Sequence, residues 1–284
     1  MASSDSSRGE FISLPSRDGD STQLKILDRT STCCTSTLST PILFIHGFLD
    51  SHRAWTDLLE ALPSNRRIVA ITLRGSGDSS KNGPFTIESY YDDVIKVLDV
   101  LDIPRAILVG HSMGTMISTY AAARCPDRVV GIVLCGGAAH ANELKGAWPA
   151  IESFASGGPL IREQKNELCE FQDGAPRDSR TMVETFKAST EAIYGSWCSL
   201  TEGDNHTAEL AMITAPTLIL WGTEDKIFEA PSQAVLKAAL SAAESTFIEI
   251  PGATHDSLIA ADHGRRCAAF IQAWCATSLG DCPL

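Results

Sequence analysis

The 284-residue chain lacks any run approaching eighteen apolar residues, so no segment of it predicts a membrane-spanning helix. Its first residues, MASSDSSRGE, are polar and lack the apolar centre of a secretory leader. Nine cysteines are present, but none has the C-x2-C spacing of a metal site; only Cys33 and Cys34 adjoin, in a Ser/Thr-rich stretch. An odd number of scattered thiols and no leader predict reduced cysteines and a cytoplasmic protein. Positive charge is also scarce. The 23 Lys and Arg against 35 Asp and Glu leave a net charge of −12, which disfavours nucleic acid and anionic membrane as partners. Internal repeats and low-complexity tracts are missing too. What remains is ordinary: 44% hydrophobic and 20% charged residues, the balance of a soluble domain with a sizeable core. A monomer or homodimer acting on a small molecule is the expectation.

Apolar runs of strand length recur along the chain. Glu10–Leu14 and Thr22–Leu27, separated by Asp18-Gly19, read as an antiparallel hairpin. The runs "PILFIHG", Arg67–Leu73, Ala106–Gly110, Val129–Cys135, Pro216–Trp221 and Ser245–Ile250 then alternate with segments of helical spacing. Those helical segments are Trp55–Leu62, Ile87–Leu101, Met113–Arg124, Ala234–Leu240 and Leu258–Trp274. Strand–helix alternation predicts right-handed crossovers and a mostly parallel, eight-stranded α/β sheet flanked by helices. Residues 136–209 interrupt it, without a strand-like run and with six aromatics. A helical cap, or lid, is expected there, inserted into a core of residues 1–135 and 210–284.

Within "AILVGHSMGTMIS", Ser112 follows a strand directly, precedes a helix, and has Gly110 and Gly114 two residues to either side. A sharp strand-to-helix turn would make side chains at those two positions collide, and glycine removes the collision. The helix beginning at Met113 then offers free N–H groups to any negative charge developing beside the Ser112 hydroxyl. A serine hydroxyl is a weak nucleophile until a base takes its proton.

This strand–G-x-S-x-G–helix arrangement resembles the α/β-hydrolase superfamily, and the likeness extends from the first hairpin to the last helix. The resemblance implies a chain order of nucleophile, acid and histidine, with the last two in loops after late strands. "TLILWGTEDKIF" offers Asp225, with Glu224 as its neighbour, and "FIEIPGATHDSL" offers His255. The catalytic residues expected are thus Ser112, Asp225 and His255. The oxyanion donors expected are the backbone N–H groups of Phe48 and Met113. His46, in "FIHGF", stands where the family's His-Gly supports the oxyanion loop, and is expected among the substrate-binding residues. Trp148, Phe154, Tyr194 and Trp197 are expected to roof the pocket. One departure is visible: members of the family often carry Asp where "ITLRGSGDSS" has Thr72, while Arg74, Gly75, Gly77 and Ser79 are kept.

A serine at the elbow separates the chain from relatives that use aspartate there, the epoxide hydrolases and dehalogenases. The resemblance is to the small-esterase, enol-lactonase and haloperoxidase-like branches. It implies hydrolysis of a small carboxylic ester or lactone through an acyl-enzyme, without metal or organic cofactor. Two alternatives use the same triad: C–C bond hydrolysis or a cofactor-free lyase or cyclase reaction, and a ligand receptor that retains the triad.

Overall fold

The computed structural model describes residues 9–15, 21–29, 39–144, 179–203 and 206–280. Strands β1 (Glu10–Leu14), β2 (Thr22–Arg29), β3 (Ile42–Ile45), β4 (Ile68–Ile71), β5 (Ala106–His111), β6 (Val129–Cys135), β7 (Thr217–Gly222) and β8 (Ser245–Ile250) form one sheet. Their order across it is β1-β2-β4-β3-β5-β6-β7-β8. β1 pairs antiparallel with β2, and β2 with β4; the other neighbours are parallel. The expected hairpin is present, with Leu14 opposite Thr22, while its Asp18-Gly19 turn lies outside the described residues.

The helices are α1 (Thr56–Ala61), α2 (Ile87–Val100), α3 (Met113–Arg124), α4 (Ser179–Lys187), α5 (Thr190–Thr201), α6 (Thr207–Met212), α7 (Ala230–Ala239) and α8 (Ala261–Ser278). Alternate strand residues face opposite layers. Leu43, Leu108 and Leu134 pack with Val94, Val97 and Ile117 of α2 and α3, whereas Phe44, Val109 and Val133 pack with Leu58, Ile271 and Trp274 of α1 and α8. Cover on both faces explains why β3, β4, β5 and β7 are buried along their whole length and read as unbroken apolar runs.

One expected helix is preceded by a 3-10 turn and another is divided. Trp55–Leu62 becomes a 3-10 turn, His52–Trp55, followed by α1. The last one becomes a 3-10 turn, Ser257–Ile259, followed by α8. The break coincides with Ala261, whose φ of 47° is left-handed and whose N–H is taken by the Asp57 carboxylate at 2.9 Å. Between β6 and β7 the described residues contain a 3-10 turn at Asn142–Leu144 and helices α4 to α6. α5 is tied to α2 by Ile87 N–H on Ser199 Oγ at 2.9 Å and by the Tyr90–Ser196 hydroxyl pair at 2.6 Å. Trp148 and Phe154 lie outside the described residues.

Candidate active site

Ser112 sits at the C-terminal end of β5, the edge where parallel sheets gather ligands. Its backbone has φ 50° and ψ −119°, a conformation that costs a non-glycine residue about 1–3 kcal/mol. The two glycines make the turn possible. A Cβ at Gly110 would stand 2.6 Å from Thr115 N, and one at Gly114 would stand 2.8 Å from the His46 carbonyl oxygen. Both obstacles are backbone and cannot swing aside. The strained serine is held from two sides: its N–H donates to the Cys135 carbonyl at 3.0 Å, and its carbonyl accepts from Thr115 N and Thr115 Oγ1 at 2.9 and 2.6 Å. Met113 begins α3, so its N–H has no acceptor within the helix.

Asp225 and His255 meet from two different loops. The loop after β7 turns so that Asp225 Oδ1 accepts from the N–H groups of Ile227 and Phe228, both at 2.9 Å. The remaining oxygen, Oδ2, accepts from His255 Nδ1 at 2.9 Å. Asp225 is buried, whereas its neighbour Glu224 is exposed, so the structure pairs His255 with Asp225 of the two carboxylates. A bond donated by Nδ1 leaves Nε2 of the neutral ring as an acceptor, the form a general base needs. Phe228 packs its ring edge-on against His255, with 5.6 Å between ring centres.

Two residues that sequence reasoning missed hold this pair beside the elbow. His111, the residue before Ser112, lies with its ring centre 5.0 Å from that of His255 and donates from Nε2 to the His255 carbonyl at 3.0 Å. Burial, followed by the neighbouring His255, pulls its pKa down to about 4, so it is a neutral brace at physiological pH. Gln233 donates to the carbonyls of Gly137 and Phe228, at 3.0 and 3.3 Å, and joins the acid loop to the segment after β6. The only sequence signal for His111 was its position next to the serine, and Gln233 had none. Gly136 closes the arrangement: a Cβ there would stand 3.3 Å from His255 Nδ1 and 3.5 Å from Asp225 Oδ2.

The loop after β3 approaches Ser112 from the other side, where a Cβ on Gly47 would stand 3.0 Å from the Ser112 Cβ. His46, expected among the substrate-binding residues, precedes it. It is completely buried, and both ring nitrogens are bound to backbone. Leu73 N–H donates to Nε2 at 3.0 Å, which puts the proton on Nδ1, and Nδ1 donates to the Gly47 carbonyl at 2.7 Å. Burial lowers its pKa to about 3, so this neutral clamp does not titrate near pH 7. Thr72 clamps the same loop further on. Its hydroxyl accepts from His52 N at 3.1 Å and shares a hydrogen with His52 Nδ1 at 2.7 Å. Burial and the cations Arg53 and Lys25 hold His52 down at about 4, so the clamp is a neutral hydroxyl–imidazole pair. The kept residues of that segment serve the turn: Arg74 forms a buried pair with Asp93 (Nε–Oδ2 2.6 Å), and Ser79 Oγ donates to the Thr72 carbonyl at 2.7 Å.

The expected aromatic roof is only partly brought to this place. Trp197 is 3% exposed and packs on Phe48, with ring centres 5.8 Å apart, so it backs the loop after β3 rather than presenting an open wall. Tyr194, in α5, is 36% exposed. A cavity of about 800 Å³ runs along α3 between Met116 and Arg124 and is lined by Tyr120, His140, His206 and Glu209. Neither Tyr194, Trp197 nor Ser112 lines it. Arg124 at its far end is paired with Glu88 and Glu209 at 2.7 and 3.1 Å. Among the described residues, no group of three or more His, Cys, Asp or Glu could hold a metal ion, and no helix is long and apolar enough to cross a membrane.

The family model described as "alpha/beta hydrolase fold" matches residues 40–262, more than three quarters of the chain. The chain belongs to the alpha/beta hydrolase fold family. It is 28% identical over 201 residues to a dihydrolipoyllysine-residue acetyltransferase component of an acetoin cleaving system from Pseudomonas putida. That match covers 67% of this chain and 53% of the relative, so the chain spans about half of that protein's length. It is also 28% identical over 199 residues to 3-oxoadipate enol-lactonase 2 of Acinetobacter baylyi, covering 66% of this chain and 72% of the relative. Among solved structures, a thermophilic esterase from Thermogutta terrifontis superposes with a TM-score of 0.76 at 23% identity, covering 94% of this chain and 97% of the other. At that identity the likeness concerns the fold.

Proposed function

We propose that this alpha/beta hydrolase cleaves a small carboxylic ester or lactone through an acyl-enzyme on Ser112. One observation carries the reading: a buried Asp225–His255 pair, bonded at 2.9 Å, stands beside a serine on a strained turn between a parallel strand and a helix. In this reading His255 Nε2 takes the Ser112 hydroxyl proton while Oγ attacks the substrate carbonyl carbon. The carbonyl oxygen becomes an oxyanion, which the N–H groups of Phe48 and Met113 receive. His255 returns its proton to the leaving oxygen, the C–O bond breaks, and the acyl group remains on Ser112. Water, deprotonated by His255, repeats the attack and frees the acid. Asp225 keeps the His255 tautomer and stabilises the transient imidazolium without taking the proton.

Every step uses this chain's own side chains and backbone, and none calls for a metal or organic cofactor. In this reading α4 and α5, which reach the loop after β3 through the Thr185–Leu49 bond and the Trp197–Phe48 contact, act as a cap that limits the substrate to a small molecule. The enol-lactonase relative suits the lactone half of the proposal. A panel of p-nitrophenyl esters and lactones, with product analysis, tests it on wild type and Ser112→Ala. Wild type should release p-nitrophenol and acid in equal amounts from the esters and one ring-opened acid from each lactone, and the variant should lose on the order of 10^6 in kcat. A folded Ser112→Ala protein retaining more than about a tenth of the rate would overturn the reading, because no other residue could then be excluded as nucleophile.

A further inference from the structure

The loop that carries Phe48 is gripped from the insertion between β6 and β7, by a residue that the triad does not involve. Leu49, immediately after Phe48, is a non-glycine residue with φ 63°, a left-handed conformation that persists only when its surroundings impose it. Its carbonyl accepts a buried hydrogen bond from Thr185 Oγ1 at 2.9 Å. Thr185 belongs to α4, 136 residues further along the chain. The same helix is seated by charge. Glu184, buried, lies 3.6 Å from Arg53 Nε and 3.1 Å from Lys187 Nζ, and Lys187 reaches Asp78 at 3.0 Å. At the helix end, Ser189 N–H donates to the Gly75 carbonyl at 3.1 Å. α4 is therefore docked between the loop after β3 and the loop after β4. On the neighbouring residue, Trp197 of α5 covers the Phe48 ring.

We propose that Thr185 is a positioning residue for the oxyanion site: its hydroxyl fixes the Leu49 carbonyl, and with it the backbone from which the Phe48 N–H is presented. The inference rests on the reading of Phe48 as an oxyanion donor. It makes the insertion part of the transition-state machinery as well as a cover for the substrate. His46 and Thr72 hold the same loop from the core side, so the insertion supplies the third fixed point. A contact of this kind acts on the developing oxyanion more than on the bound ester. Its loss should therefore appear in kcat and leave KM nearly unchanged.

The test compares wild type, Thr185→Val, Thr185→Ala and Thr185→Ser, with p-nitrophenyl acetate turnover, inactivation by a fluorophosphonate and thermal melting. Thr185→Val and Thr185→Ala remove the hydroxyl. Each should lower kcat about 10- to 100-fold, the cost of a donor displaced by a fraction of an ångström, with KM within about twofold. Fluorophosphonate inactivation should slow by a similar factor, because its adduct also places an oxygen at the donors. Thr185→Ser keeps the hydroxyl and should retain kcat within about threefold. Hydroxyl-free variants with wild-type kcat, a loss confined to KM, or Thr185→Ser as impaired as Thr185→Val would each overturn the proposal. Failure of both hydroxyl-free variants to fold would overturn it too, by assigning the bond to general stability. The underlying reading fails separately: wild type that neither turns over the ester nor takes up the phosphonate removes both, whereas an active wild type with an indifferent Thr185 removes this inference alone.

Discussion

Replacing Asp225 by Asn removes one charge and almost no volume, and the surrounding hydrogen bonds decide how the new side chain must sit. Oδ1 of Asp225 accepts two backbone N–H groups, from Ile227 and Phe228, each at 2.9 Å. An asparagine amide must keep its oxygen there. Turning the NH2 group toward two buried N–H donors would leave them unsatisfied, at about 1–3 kcal/mol each. The NH2 therefore faces His255 Nδ1, which can accept its hydrogen only by carrying none of its own. The ring proton moves to Nε2, and the nitrogen that should take the Ser112 proton becomes a donor. For a triad this wrong tautomer costs roughly 10^4 in kcat, or about 5.5 kcal/mol of barrier. Both backbone bonds survive, so the melting temperature should stay within a few degrees of wild type. Steady-state turnover of p-nitrophenyl acetate, alongside a melting curve, checks both halves. A folded Asp225→Asn enzyme within tenfold of the wild-type rate would refute the tautomer argument. Glu224→Gln serves as the control and should be nearly silent, since Glu224 is exposed.

Gly114→Ala places a Cβ 2.8 Å from the His46 carbonyl oxygen, a backbone obstacle, and should cost about 1–3 kcal/mol of stability or more together with most activity; unchanged melting and turnover would contradict the close-approach account. Thr72→Val removes the hydroxyl that holds His52 while keeping the shape; turnover should fall with KM little changed, and Thr72→Ser should restore it, whereas equal rates for all three would dismiss the clamp. Four buried histidines, His46 at about 3 and His52, His111 and His206 at about 4, sit below the unfolded value near 6.5. The unfolded chain thus binds more protons, and stability should fall as pH drops from about 6.5 toward 4, by up to about 1.4 kcal/mol per pH unit per histidine; a denaturation midpoint unchanged between pH 7 and 5 would be the contrary result.

The sheet was legible because burial on both faces forces continuous apolar runs, and the elbow because its two glycines have no alternative at backbone contact distances. Where a helix is broken by one left-handed residue, as at Ala261, periodicity carried straight across the break. The pairing of His255 with Asp225 rather than Glu224 followed from position in the loop, and the structure adds the reason: only Asp225 turns inward onto two backbone donors. The backbone partners of His46 were not legible, because a histidine beside the site reads the same in sequence whether it faces substrate or backbone. Both its ring nitrogens are bound by backbone atoms, one from Leu73 in another loop, which no local pattern encodes. The same holds for Gln233, His111 and Thr185, whose partners lie 96, 144 and 136 residues away. The exposure of Tyr194 was not legible either, because aromatic content does not reveal which side of a helix is covered.

The central claim is that Ser112 becomes covalently acylated, and trapping tests it most directly. Wild-type protein treated with a fluorophosphonate at neutral pH, digested and analysed by mass spectrometry, should carry a single adduct, on the peptide containing Ser112. His255→Ala should take it up far more slowly, in step with its loss of ester turnover. An adduct on another residue of an active enzyme, or full turnover with Ser112 unmodified after complete reaction, would contradict the account.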